Sequence, residues 1–216
     1  MKRNFSILAA AALALTACGV EGFQEKAINL ALGEKQPEKA ALFPRFVPVL
    51  KAGRGPAIQV HIIGTEIRGG FLREITRGNI ESWLGNDGVS LTFDRGVLHG
   101  TRGMGAGLLA SDVSASAGAI FAGRTGQVER IHTFLNGDDQ AVSRTYTCYI
   151  TNNGPETIQL DNGATVTRRM TESCQSRDQE FTNFYWVDTK RGRIVKSRQW
   201  SGEDFGAFVI TTFYNF

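Results

Sequence analysis

The segment from Trp83 to Asp112 constrains the fold of this chain most strongly, because two turn signals separate short runs of strand-like residues. Asp87-Gly88 is typical of hairpins with a type I′ turn, which needs positive φ at both central positions. Residues 89–94 then alternate apolar and polar side chains, the period of a strand with one buried face. Asp94-Arg95-Gly96 signals a second turn. The segment therefore predicts a β-meander.

The rest of the chain after residue 56 continues this pattern of strands and turns. Phe205–Ile210 is apolar on both faces, which is typical of an interior strand. Residues 152–155 and 161–163 are predicted turns, and the small-residue-rich segment 111–126 is predicted to be a loop crossing between halves of the fold. Further strands are predicted at 57–63, 67–77, 128–135, 142–150, 181–188, 192–200 and 205–214. So many antiparallel strands must curl or close to protect their edges, which predicts an all-β sheet forming a half-barrel or barrel.

Composition is that of one ordinary globular domain, with 216 residues, 42% of them hydrophobic and 21% charged. The formal charge is +3, but two of the basic residues, Lys2 and Arg3, lie in the first stretch. Without them, 22 basic residues face 21 acidic ones. This balance argues against a nucleic-acid partner, which would require a clear basic excess.

The amino terminus has the features of a lipoprotein signal peptide. A basic start precedes the short apolar run 5–15, and Leu15-Thr16-Ala17-Cys18 resembles a lipobox, after which the acylated cysteine becomes the first residue. Gly19, rather than Asp, follows Cys18, which predicts sorting to the outer membrane with the domain facing the periplasm. Several acyl chains on one residue give stable anchoring.

Three regions follow from this interpretation. Residues 1–17 are the signal peptide, residues 18–34 the lipidated N-terminus with a short helix at 22–33, and residues 35–216 a single β-rich domain. The apolar run 42–50 contains two prolines and is predicted to be extended. It is expected to pack over one end of the sheet, with a partner-docking patch as the alternative.

With Cys18 acylated, only Cys148 and Cys174 remain, and only one pairing is available to them. A disulfide is the expected state in an oxidising exported compartment. A redox-active or metal-binding pair is the alternative, but the chain lacks the CxxC spacing and has no histidine near either cysteine.

No motif of a common enzyme class is found in the sequence, and no cofactor or metal site is predicted. The three histidines lie in separate predicted strands without metal-ligand spacing, and neither a G-x-S-x-G motif nor a P-loop is present.

Strand alternation places Arg144 on one face with Tyr146 and Cys148. We therefore expect Arg144 to be partly buried and paired with Glu172 or Asp112 in a structural ion pair, with a ligand site as the alternative.

Several short motifs, in order, resemble the YjbF family of bacterial lipoproteins, also called the group 4 capsule or GfcB-like family. They are the Trp83 hairpin, Thr101-Arg102-Gly103-Met104-Gly105, Cys148 with Glu172 and Cys174, residues 183–188 and Ser197-Arg198-Gln199-Trp200. The resemblance covers nearly all of the mature chain. It implies a non-enzymatic accessory role in producing or exporting an extracellular or capsular polysaccharide. The implied partners are an outer-membrane β-barrel protein and periplasmic proteins of the export system.

Two alternatives to the accessory role remain. The first is a binding module that contacts the polysaccharide directly, since aromatic rings next to hydrogen-bond donors suit a glycan. The second is a glycan-processing enzyme, for which the carboxylates in the turns at 138–139 and 203–204 are the candidates. The candidate glycan or partner contacts are Trp83, Arg102, Trp186, Arg198 and Trp200.

Overall fold

The computed structural model describes residues 56–104, 107–138 and 140–213, which form twelve strands and one helix. The predicted signal peptide, Cys18, the helix at 22–33 and the apolar run 42–50 lie outside the described residues. The first five strands are β1 Ala57–Ile62, β2 Arg68–Arg77, β3 Ile80–Gly85, β4 Ser90–Asp94 and β5 Val97–Arg102. They are followed by β6 Leu108–Asp112, α1 Ser114–Ala122, β7 Gly126–Leu135, β8 Ala141–Leu160, β9 Gly163–Gln175, β10 Glu180–Asp188, β11 Arg193–Gly202 and β12 Gly206–Thr212.

All twelve strands belong to one antiparallel sheet in the order β5-β4-β3-β2-β1-β12-β11-β10-β9-β8-β7-β6. Two meanders, β1–β5 and β6–β12, join where β1 pairs with β12, with Val60 opposite Ile210. The end strands β5 and β6 lie side by side, because Ser111 Oγ donates to the carbonyl oxygens of Leu98 (3.0 Å) and His99 (3.1 Å). The sheet is therefore nearly closed into a barrel, and the predicted all-β fold is confirmed.

The two turn signals of the opening meander both produce hairpins, but with different geometry. Arg95 (φ 50°) and Gly96 (φ 85°) form a two-residue turn with positive φ at both positions. At the Asp87-Gly88 hairpin only Gly88 has positive φ (84°), and Gly85 N donates to Val89 O across a three-residue turn. The type I′ expectation is therefore wrong for Asp87-Gly88, although the hairpin itself is present.

The predicted loop at 111–126 is wrong, because most of this segment is the end of β6 and the helix α1. Its alanines and serines are small enough for the helix to pack closely into one end of the barrel, where Ala117 and Ile120 are completely buried. The helix ends at Gly123, whose φ of 65° is left-handed and whose N–H donates to Ile120 O. Small residues here indicate close packing rather than irregular chain.

The predicted turn at 152–155 is also wrong, because β8 continues through it for 20 residues. A β-bulge between Asn152 and Gly154 occurs where the turn was predicted, and Gly154 has a φ of 86° there. Beyond this bulge β8 and β9 form a hairpin tip, defined here as residues 155–168, that turns at 160–163. The tip packs Ile158 and Leu160 against Val195 of β11. Phe208 of β12 is completely buried, consistent with the predicted interior strand.

Candidate functional site

The barrel interior contains a charged pair with no exposure to solvent. Arg130 of β7 donates from Nη1 to Glu172 Oε2 of β9 at 2.8 Å, and both side chains are 0% exposed. Arg130 Nε also donates to His132 Nε2 at 2.7 Å. Glu172 Oε2 accepts two more hydrogen bonds, from Asn183 Nδ2 (2.8 Å) and Tyr185 Oη (2.7 Å) of β10. We call these five residues the buried polar centre.

Burial and charge together set the protonation states in this centre. Burial raises the pKa of Glu172, but the Arg130 charge and the hydrogen bonds to the carboxylate outweigh it, so the net shift is downward and Glu172 stays ionised. Burial, with the nearby Glu172 charge, raises the pKa of Tyr185 well above its ordinary value. Burial and then the Arg130 charge lower the pKa of His132 from 6.5 to about 2. His132 and Tyr185 are therefore neutral at physiological pH.

Helix α1 closes this centre from one end of the barrel. Its Ser116 is completely buried and lies near enough to Glu172 to help lower the pKa of that carboxyl. The ion pair is thus enclosed by the strands and the helix. An enclosed ion pair can orient strands and specify packing, but it offers no face to a substrate.

Cys148 and Cys174 lie directly opposite each other in β8 and β9 and are joined by a disulfide, with Cα atoms 4.0 Å apart. Their sulfur atoms and a Glu172 carboxylate oxygen lie within 4.8 Å of one another. A metal would need the cysteines as thiolates, and the disulfide consumes both thiols. The grouping is therefore structural in this oxidised chain.

The predicted pairing of Arg144 with Glu172 or Asp112 is wrong. Arg144 is half-buried and its Nη2 donates to Asp178 Oδ2 at 3.1 Å. Glu172 lies opposite Ile150 in the β8–β9 register, six residues from Arg144, which is roughly 20 Å along a strand. The partner of Glu172 is Arg130, on the strand that flanks β8 from the other side. Alternation in residues 128–134 could have indicated Arg130, since it shares a face with His132 and Phe134.

Three of the candidate glycan contacts are separated from one another. Trp83 is only 4% exposed and packs in the apolar core. Trp200 is half-buried and stacks on Phe181, with ring centroids 4.6 Å apart. Arg102 is exposed at the end of β5, where its Nη1 donates to Leu109 O of β6 at 2.7 Å. Trp83 and Trp200 therefore support the fold, and Arg102 helps to join the end strands.

Trp186 and Arg198, by contrast, come together on the outer surface of the barrel. Tyr185 is completely buried, so its neighbours Phe184 and Trp186 point outward from β10. The sheet register then places Arg169 of β9 and Lys196 of β11 on either side of Trp186, and Arg198 beside Phe184. We call this set of residues the cation–aromatic ladder: Arg169, Phe184, Trp186, Lys196 and Arg198.

A cavity of about 340 Å³ opens at the end of the barrel that contains helix α1. Apolar side chains that include Trp83 and Ile210 line its depth, and Arg73 and Arg193 lie among the lining residues. Pro56 lies beside this cavity, since its carbonyl oxygen accepts a hydrogen bond from Arg73 N at 3.2 Å. Glu81 is the one carboxylate among the described lining residues, and Arg73 pairs with it at 2.7 Å.

Comparisons with known proteins bear first on the fold. No curated protein is significantly similar to this chain. The crystal structure of the hypothetical lipoprotein YmcC from Escherichia coli (K12) is similar, with a TM-score of 0.69 and 17% sequence identity. The match covers 93% of this chain and 98% of that chain. No helix among the described residues has both the length and the apolar character needed to span a bilayer.

The family comparison covers the whole described barrel. Residues 43–213 match the model of the YjbF family, described as group 4 capsule polysaccharide lipoprotein GfcB, YjbF. The match includes the Trp83 hairpin, both disulfide cysteines and the strands that carry the ladder. It confirms the resemblance inferred from the short motifs. The chain therefore belongs to the YjbF family of group 4 capsule polysaccharide lipoproteins.

Proposed function

We propose that this chain is an outer-membrane lipoprotein that assists the production or export of exopolysaccharide or capsule without being an enzyme. Family membership over residues 43–213 is the observation that carries the proposal. The lipobox ending at Cys18 supports anchoring by acyl chains, and Gly19 supports sorting to the outer membrane with the barrel facing the periplasm.

The expected partners follow from this placement. The outer-membrane bilayer holds the acylated Cys18. An outer-membrane β-barrel protein and periplasmic proteins of the polysaccharide export system are the protein partners. A small rigid barrel on a lipid tether is suited to holding such proteins near the membrane, because tethering raises their effective concentration.

The buried polar centre supports a non-catalytic role. General acid–base chemistry needs a titratable group within hydrogen-bonding reach of substrate. Glu172 and Arg130 are instead 0% exposed and form an ion pair with each other. The groups with the most strongly shifted pKa values in this barrel are therefore placed where they stabilise packing.

A Cys18→Ala substitution tests the anchoring. We expect the protein to move from the membrane fraction to the soluble periplasmic fraction, and secreted polysaccharide to fall. Cells that lack the chain give the reference level of secretion. Full secretion from the unanchored form would show that the tether is dispensable, and full secretion without the chain would overturn the accessory role.

Direct polysaccharide binding is a second candidate function, favoured by the cation–aromatic ladder on the outer surface.

An enzymatic role is tested by incubating crude polysaccharide with the purified lipoprotein and following the viscosity. We expect the viscosity to stay constant. A steady decrease that depends on protein concentration would contradict the non-enzymatic assignment.

A further inference from the structure

The ladder alternates cations and aromatic rings across three strands. Lys196 Nζ lies 5.2 Å from the Trp186 ring centroid, and Arg169 Cζ lies 5.7 Å from the same ring. Arg169 Cζ also lies 5.2 Å from the Phe184 centroid, and Arg198 Cζ lies 5.8 Å from it. Each cation is within the range at which a ring face attracts positive charge. The rings therefore hold three long basic side chains in a defined row.

Carboxylates neutralise this row only in part. Arg169 pairs with Glu156 at 3.4 Å, but the two side chains are 39% and 38% exposed, so the pair is weak. No carboxylate among the described residues forms an ion pair with Lys196 or Arg198. Arg198 instead donates to Thr182 O at 2.8 Å. The ladder therefore presents a net positive charge in a chain whose overall charge is nearly balanced.

The ring of Trp186 is poorly placed for sugar stacking. It packs against Val195 and the hairpin tip residues Ile158 and Leu160, and it lies between two cations. Its role is to support Arg169 and Lys196 rather than to offer a free apolar face. Recognition at this surface consequently depends on charge.

A shallow groove continues the same outer face along the strands. It encloses about 900 Å³, and its lining includes Thr147, Tyr149, Ser173 and Thr182. Tyr149 is 53% exposed although it is aromatic. In the register, Ser173 of β9 lies opposite both Tyr149 of β8 and Thr182 of β10. Thr182 is two residues along β10 from Phe184 of the ladder. Hydroxyl groups thus adjoin the row of cations, and hydroxyls are suited to hydrogen bonds with sugar hydroxyls.

We propose that the outer face of β9, β10 and β11 binds an acidic polysaccharide, with Arg169, Lys196 and Arg198 contacting the carboxylate groups and the neighbouring groove contacting sugar hydroxyls. The inference rests on the proposed role in polysaccharide export and names the class of polymer and its site. Charge complementarity favours an acidic polymer over a neutral one. The balanced overall charge and the hydroxyl-lined groove favour a glycan over DNA or a lipid surface.

The test uses the full lipoprotein purified in detergent, with polygalacturonate as the acidic probe and dextran as the neutral one. We expect polygalacturonate to bind and dextran not to bind in affinity electrophoresis, and binding to weaken as salt is added. The triple variant Arg169→Gln/Lys196→Gln/Arg198→Gln should lose about tenfold in affinity or more, equivalent to about 1.4 kcal/mol. Equal retardation by dextran would overturn the proposal.

The matched control removes the same charge elsewhere, as Arg77→Gln/Arg124→Gln/Lys190→Gln, because all three side chains are exposed. We expect it to bind like the unmodified protein, and an equal loss would contradict a local site. Lys196→Gln alone should lose about threefold in affinity for polygalacturonate. This single variant keeps the test valid if the triple variant unfolds, because it removes only one contact between a cation and a ring. Retention by DNA as strong as by polygalacturonate would also overturn the proposal, as would a preference for anionic over neutral phospholipid vesicles that the triple variant loses.

The same variants separate this inference from the proposed function. If cells carrying the triple variant secrete normal polysaccharide while cells without the chain do not, the accessory role holds and the binding site is refuted. If polygalacturonate binds at the ladder but loss of the chain leaves secretion unchanged, the accessory role fails instead. Each outcome therefore identifies which of the two statements is wrong.

Discussion

Arg130 and Glu172 form a completely buried ion pair, with Nη1 of the arginine 2.8 Å from Oε2 of the glutamate. The two residues lie on β7 and β9, which are separated by β8, so the pair reaches across an intervening strand. Arg130 Nη2 also donates to Leu98 O of β5, and Glu172 accepts from Asn183 Nδ2 of β10, so the pair connects both halves of the barrel. Because neither charge is exposed to water, removing one residue would leave the charge of the other buried without a counter-ion.

Glu172→Gln should destabilise the barrel by about 3 to 5 kcal/mol, because it leaves the Arg130 charge buried without a counter-ion. Urea unfolding followed by circular dichroism measures this change. The control is Glu156→Gln, which breaks the exposed pair with Arg169 and should cost less than about 1 kcal/mol. Similar losses for the two variants would contradict the structural importance of the buried pair.

Stability should fall as the pH is lowered from neutrality toward about pH 5. Burial, followed by the Arg130 charge, lowers the pKa of His132 from 6.5 to about 2. Below pH 6.5 the unfolded chain therefore binds a proton that the folded chain excludes, and each pH unit can cost up to about 1.4 kcal/mol. The pKa of Glu172 is also lowered, so its contribution is complete above its ordinary value of 4.5 and is lost only at lower pH.

His132→Gln isolates this effect, because it keeps an acceptor for Arg130 but has no titrating ring. Urea unfolding of both proteins across the pH range should give a smaller slope for the variant. His61 and His99 are present in both proteins and cancel in the comparison. Identical slopes would mean that His132 does not exclude a proton in the folded state.

Removing the disulfide by Cys148→Ala/Cys174→Ala should lower the free energy of unfolding by about 3 to 4 kcal/mol, on the chain-entropy estimate for a separation of 26 residues. Reductant should lower the stability of the unmodified protein toward that of the variant. Because the two cysteines are 0% and 2% exposed, reduction of the disulfide in the native protein should be slow, as followed by thiol titration after addition of reductant. Rapid reduction without unfolding would contradict this burial.

Two glycines near helix α1 should respond in opposite directions to alanine. Gly118 lies inside the helix with no atom within 4 Å of an added Cβ, so Gly118→Ala should stabilise by about 0.5 to 1 kcal/mol. Gly123 has φ of 65°, and an added Cβ would lie 2.8 Å from Arg168 Cζ. Gly123→Ala should therefore destabilise by about 1 to 2 kcal/mol.

Thermal unfolding of the two glycine variants checks this pair. Arg168 Nη2 donates to Ile120 O and Phe121 O at the helix end, so displacement of Arg168 would also loosen the helix. A destabilised Gly118→Ala variant would contradict the open space beside Gly118. An unchanged Gly123→Ala variant would exclude the left-handed helix end.

Local sequence pattern was sufficient for most strands, for the hairpins of the opening meander and for the family. Strand alternation and turn residues act over a few positions, so they can be read directly along the chain. The sequence pattern gave a wrong prediction where the same residues are compatible with two different local structures. Small residues at 114–122 suit a loop or a closely packed helix, and Gly154 suits a turn or a bulge.

Tertiary structure alone decided which charges meet and which rings face solvent. Arg130 and Glu172 are 42 residues apart, and only the register of β7, β8 and β9 makes them neighbours. The same register places Trp186 beside Lys196 outside the barrel, whereas Trp200 stacks on Phe181. Strand alternation specifies that successive side chains point to opposite faces of the sheet. Register and barrel closure decide which residues each face contacts. Both depend on contacts between residues far apart in the chain, so a local pattern does not contain them.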